Sequence, residues 1–137
     1  MERTEVRLSR LVLVDNAEPQ YLQLEEVTPT NERRKLTMVI GASEAEEIQR
    51  CMQKIDTPRP LTHELAFSLV QGLGGGLREA VIHNLDEGTY FAQLYLEKAG
   101  EHYAVDCRPS DAVALTLRGA APIYVTEDVW SATANDD

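Results

Sequence analysis

Most of the side chains in this sequence that could do chemistry lie in two short segments. These are Pro58-Arg-Pro-Leu-Thr-His-Glu64 and Asp106-Cys-Arg-Pro-Ser-Asp111. Each sets an arginine beside a proline, followed by a hydroxyl and a carboxylate at or near the start of an expected helix, where free backbone N–H groups attract anions. Arginine forks match phosphate oxygens and stabilise charge that develops on phosphorus. Carboxylates hold hard divalent cations, and a histidine can move a proton. Together the residues suit metal-assisted phosphodiester hydrolysis. In that reading Asp106, Asp111 and Glu64 hold Mg²⁺ or Mn²⁺, and Arg59 and Arg108 grip phosphate. His63 is the acid or base, and Ser110 adds a hydroxyl to the catalytic set.

Each of these residues also has a purely structural reading. Thr62 and Ser110 serve as helix caps, and Glu64 and Asp111 complement helix dipoles. Arg108 pairs with Asp106 or Asp111 and ties a strand to a helix. His83 and His102 fall in expected strands and read as surface or core residues.

The elements that must position these groups follow from periodicity. Residues 5–14, 21–27 and 35–40 read as strands, with turns at Asn16–Pro19 and Thr28–Asn31. Ser43 reads as an N-cap to a helix over 44–54 whose first turn is acidic. Asp56–Pro60 is a stiff connection, because two prolines bracket Arg59. Thr62 reads as the cap of a helix carrying Leu65, Leu69, Val70 and Leu73, ended by the glycine run 72–76. That run follows a helix and lacks Lys-Ser/Thr, so it reads as a helix exit and not a phosphate loop. Residues 78–85 and 89–97 alternate around Asp86-Glu-Gly88 as a hairpin. Residues 102–106 form a further strand, and the apolar run 112–117 a buried helix ended by Gly119. Residues 122–125 form the last strand. Hairpins dominate and no regular βαβ alternation appears. The fold class is therefore α+β: a mixed, largely antiparallel sheet with three main helices in a single domain, residues 1–131, followed by an acidic tail over 132–137.

Composition limits the function classes. A chain of 137 residues, 43% hydrophobic and 26% charged, builds one mostly aliphatic core, since aromatics make up 6%. The mixed charges of Met1–Arg7 do not match an export signal, and no apolar run matches a membrane span, so the expected location is the cytoplasm. Cys51 and Cys107 are too few for a disulfide framework and read as reduced thiols. The net charge of −10 argues against a passive nonspecific nucleic-acid binder but leaves room for a small basic pocket. The one basic cluster, Arg33-Arg34-Lys35, reads as a solvated turn.

Four blocks in order carry a family resemblance. Ile40-Gly-Ala-Ser-Glu-Ala45, Pro58-Arg-Pro-Leu-Thr-His-Glu-Leu65, Asp106-Cys-Arg-Pro-Ser-Asp-Ala112 and Ala121-Pro-Ile-Tyr-Val125 resemble the signature blocks of the bifunctional nuclease domain. The resemblance spans roughly residues 5–130. It implies an α+β fold, self-association into a homo-oligomer, and a nuclease acting on RNA and DNA with a divalent metal. Its matching polar positions are Glu44, Arg59, Thr62, His63, Asp106, Arg108, Ser110 and Asp111. Glu64 stands where aspartate is common, and Cys107 where a small residue is common, which argues against a catalytic thiol. Two other readings stand beside the nuclease: a non-catalytic module that binds an anion or nucleotide, and a structural subunit whose two segments form a subunit contact.

Overall fold

The computed structural model describes residues 2–14, 20–28 and 32–135. The expected turn at Asn16–Pro19, most of that at Thr28–Asn31, and residues 136–137 lie outside the described residues.

Seven strands form one sheet: β1 (Arg3–Val12), β2 (Gln20–Glu26), β3 (Lys35–Ile40), β4 (Gly76–Asp86), β5 (Thr89–Lys98), β6 (Glu101–Cys107) and β7 (Ile123–Thr126). Their order is β3-β2-β1-β7-β4-β5-β6. Every pairing is antiparallel except β4 with β7, so the sheet is mixed, as expected. Strict alternation in β3 buries Leu36, Met38 and Ile40 and exposes Lys35, Thr37 and Val39. The turns Glu87-Gly88 and Ala99-Gly100 have positive φ at both positions, the primed geometry that matches strand twist in two-residue hairpins.

Four helices complete the fold: α1 (Ala42–Gln53), α2 (Thr62–Gly72), α3 (Pro109–Gly119) and α4 (Glu127–Asn135). Helix α3 is central, with Ala112 through Thr116 all buried, and it packs against the sheet, α1 and α2. The core joins these residues to Leu22, Leu24, Ile82 and Val125 from the strands, and to Ile48 and Val129 from α1 and α4.

The structure corrects the sequence reading at several points. The helix caps are Gly41, Leu61 and Arg108, not Ser43, Thr62 and Ser110. In α2 and α3 an acidic side chain in the first turn reaches back to the cap's own N–H, so no hydroxyl is needed there. Residues 132–135, expected to begin a tail, continue α4. Val129 and Trp130 bury on the core and hold that helix in place. Arg34 is more than part of a solvated turn. It donates to Glu26 and Glu127 and lies over the Trp130 ring at 4.5 Å, which locks α4 to β2.

Candidate active site

The two reactive segments meet. Helix α2 packs across α3, and Gly119 permits the close approach: a Cβ there would lie 2.8 Å from the Phe67 ring. This brings His63 Nε2 to 2.8 Å from Asp111 Oδ1. Arg108 forks onto the same carboxylate, donating from Nε to Oδ2 at 3.0 Å and from Nη2 to Oδ1 at 2.9 Å. The Arg108 amide also donates to Oδ2 at 3.1 Å, which closes the first turn of α3. A third segment joins through Glu44, whose Oε1 accepts from Arg108 Nη1 at 2.9 Å.

The first turn of α1 explains where Glu44 sits. Its carboxylate folds back over the helix start, and Gly41 leaves room for it: a Cβ at Gly41 would collide with Glu44 Oε2. The Glu44 backbone amide and then Arg108 hold this carboxyl below its usual range, against the opposing effect of burial. Burial pushes the Asp111 carboxyl up, but the hydrogen bonds from Arg108 and His63 more than offset it, so its pKa lies below the ordinary 3.8.

A lowered folded-state value has a definite sign. The stability these carboxylates contribute is complete above their unfolded-state values and is lost as pH falls through the lower folded values. The melting temperature should therefore stay flat from neutrality to about pH 5 and fall steeply below about pH 4. Calorimetry against pH checks this, and the fall should be shallower for Asp111→Asn.

Two clefts flank the Arg108–Glu44 ion pair, and both residues line each of them. One, of about 610 Å³, lies between the end of β3, the β4–β5 hairpin and the start of α3. The other, of about 600 Å³, lies between α1 and the start of α2, and His63 opens into it. The ion pair thus forms a partition across a longer groove.

The remaining expected residues are placed differently. Arg59 is exposed on the 54–61 loop, and its side chain makes no hydrogen bond or ion pair among the described residues. Its carbonyl accepts from Thr57 Oγ1 at 2.7 Å, which shapes the loop. Asp106 is exposed on β6 opposite Gln93, likewise without a bonded partner among the described residues. Glu64 accepts from Thr57 Oγ1 and the Leu61 amide and pairs with Arg118. Ser110 is buried beneath the first cleft. Burial pushes the Cys107 thiol up to about 12, which makes it a poor nucleophile.

Among the described residues the expected donor set is not gathered into a metal centre: no three of His, Cys, Asp and Glu converge as metal ligands. The oxygens of Asp111 and Glu64 are already engaged by Arg108, His63, Thr57 and Arg118. Asp106, Asp111 and Glu64 are therefore not assembled into the expected trio within this chain.

The bifunctional nuclease domain matches residues 24–136, well over half of the sequence. The chain belongs to the bifunctional nuclease domain family. An uncharacterized protein of Mycobacterium tuberculosis is 40% identical over 120 residues, covering 88% of this chain and 71% of that protein. Bifunctional nuclease 2 of Arabidopsis thaliana is 29% identical over 83 residues, 58% of this chain but 25% of the plant protein. Bifunctional nuclease 1 of Oryza sativa subsp. japonica is 28% identical over 81 residues, and this chain spans 24% of it.

Sequence reasoning missed one part of this bifunctional nuclease domain. Glu47, only 3% exposed, accepts from Arg118 Nη2 at 2.8 Å and from Arg50 Nη2 at 3.1 Å. Arg118 also reaches Glu64 at 3.7 Å, so three helices are tied below the His63–Asp111 pair. The first turn of α1 reads as a row of dipole-favouring acids. Only the helical phase of Glu47 beside Ile48, toward the core, sets it apart.

Proposed function

We propose that this domain is a nuclease that hydrolyses phosphodiester bonds of RNA and DNA, with His63 as proton carrier and Arg108 as phosphate clamp. The observation that carries this reading is the shared carboxylate: Asp111 bonds His63 Nε2 at 2.8 Å while Arg108 forks onto it. An imidazole held at one nitrogen by a carboxylate keeps the other nitrogen free to take a proton from an attacking hydroxyl or water, and the carboxylate favours the imidazolium that results. Arg108 spends one N–H from each of its three nitrogens on Asp111 and Glu44. A guanidinium has five N–H groups, so two remain for phosphate oxygens. The relatives named as bifunctional nucleases support the substrate class.

Rigorously purified protein should degrade single-stranded RNA and single-stranded DNA, and His63→Ala should remove both activities together. Unchanged rates in His63→Ala would sink the reading. A parallel reaction with chelator tests the dependence on Mg²⁺ or Mn²⁺ that the family resemblance implies.

One observation favours a second reading, a non-catalytic anion- or nucleotide-binding module. Arg108 is already held by the two carboxylates of Glu44 and Asp111, which an incoming anion can displace in a ligand exchange as well as in a reaction. A large thermal shift with nucleotides and no turnover by the same preparation would select it.

Self-association belongs to the same proposal, with a second copy of this chain seated on α2. That helix buries none of its residues, and Leu61, Leu65, Leu69 and Leu73 are spaced four apart, with Leu69 57% and Leu73 70% exposed. Leucines at this spacing form a stripe that can meet its own copy. In a chain of net charge −10, α2 carries one acidic residue, Glu64, already paired with Arg118, so two copies repel least here. Leu61 and Leu65 also line the cleft that His63 faces, so the second copy would wall the site. Leu69→Glu should shift sedimentation to the monomer while leaving the monomer's secondary structure intact. An unchanged sedimentation coefficient would remove α2 as the contact.

A further inference from the structure

We infer that the first cleft is a nucleotide subsite, holding a phosphate at the start of α3 and laying the attached base against Tyr90 along the open edge of β3. This rests on the proposed nuclease reading and specifies how a strand would lie across the site.

The phosphate position follows from unpaired donors. Ser110 is 6% exposed, lines this cleft, and makes no side-chain hydrogen bond among the described residues. Its hydroxyl oxygen is open to the cleft and free to bond a molecule that enters. It sits in the first turn of α3, where the earliest helical bond runs from the Ala112 amide to the Arg108 carbonyl at 3.1 Å. The Ser110 and Asp111 amides therefore have no acceptor within the helix and face an incoming anion. The start of α1 is already taken by the Glu44 carboxylate, which Arg108 binds, so the phosphate sits on the α3 side of the cleft.

The base position follows from the rest of the lining. Tyr90 is half-buried and borders the cleft, next to the hairpin tip at Gly88 and Thr89. Residues Thr37 to Ile40 line the opposite side, and β3 ends the sheet order, so the backbone groups on its outer edge pair with no strand. Such groups bond water or an incoming ligand, and a nucleobase edge carries both donors and acceptors. An aromatic face and an open backbone edge accept any base but require it to be unpaired, which commits this cleft to single-stranded nucleic acid. Arg108 lies between this cleft and the one that His63 faces, so a phosphate held here adjoins the proton carrier.

The test is fluorescence anisotropy with two labelled ligands, short oligothymidylate and a sugar–phosphate chain of equal length lacking bases. The full-length protein should bind oligothymidylate about tenfold more tightly. Tyr90→Phe should keep this preference and Tyr90→Leu should lose it; because Tyr90 also packs against the core, circular dichroism at the assay temperature confirms that each variant is folded. Ser110→Ala should weaken both ligands by a similar factor. Equal affinity of the unaltered protein for the two ligands, or no binding of either, overturns the subsite. A base preference without any cleavage leaves the subsite standing and removes the nuclease reading, whereas cleavage without a base preference does the reverse.

Discussion

Asp111→Asn is expected to lower the rate of phosphodiester cleavage by about 10²- to 10⁴-fold, the range seen when a general base loses its orienting carboxylate. The amide can present an N–H to His63 Nε2, where the carboxylate oxygen stood at 2.8 Å, and so force the proton onto the wrong ring nitrogen. It also weakens both forks to Arg108, which then pairs with Glu44 alone. Because His63 and Asp111 act as one unit, His63→Ala should cost about as much as Asp111→Asn, and the double variant little more. Single-turnover rates of the four proteins measure this. Losses that multiply would show that the two residues act separately. Folding should survive, since the charged cap contact removed is worth on the order of 1–3 kcal/mol.

The second large effect lies beneath the site. Glu47→Ala should cost about 3–5 kcal/mol of stability, because it strips the shared partner from two largely buried arginines. Arg50 and Arg118 expose only 27% and 24% of their side chains, and each also has a buried Nε without a partner among the described residues. Denaturant titration should show a lower midpoint at an unchanged slope. Glu47→Gln keeps the shape and one acceptor oxygen, so it should lose less. A loss under 1 kcal/mol (roughly the value of an exposed pair) would show that water replaces the carboxylate readily. Where folding persists, Arg118 no longer ties α1 to α2, and activity should fall through displacement of His63 even though Glu47 never meets substrate.

Much of this was legible from residue order. The alternation of β3 and the turn residues Asp86-Glu-Gly88 gave a strand and a hairpin at their observed places, because one face of the sheet is buried and two-residue turns demand residues that tolerate positive φ. The mixed sheet followed from the scarcity of βαβ units. Helix α4 was hidden, since its Ser, Thr and Asn favour it weakly and only the burial of Val129 and Trp130 fixes it. The caps were misplaced because hydroxyl residues look like caps, while here Glu64 and Asp111 reach back three positions to do that work. Within the site, two similar segments suggested a shared cavity, but the contact of His63 with Asp111 comes from the packing of α2 on α3 and was not readable from residue order. The isolation of Arg59 and Asp106 depends on where a loop and an edge strand point, and periodicity carries no such information. The leucines of α2 illustrate the same limit, since an apolar stripe looks alike whether it faces its own core or a second molecule.

The Glu44 carboxylate clasped by Arg108 has a consequence for which ions the domain notices. A competitor attached to the same chain acts as though present at millimolar concentration or above, roughly the strength of a short tether. Chloride or sulfate arriving singly gains one contact and gives up an equal one, so the arginine should ignore them at modest salt. A polyanion gains several contacts in return for the one it displaces. The domain thereby carries its own filter against simple salts, set by a glycine whose missing methyl lets an acid lie down across a helix end.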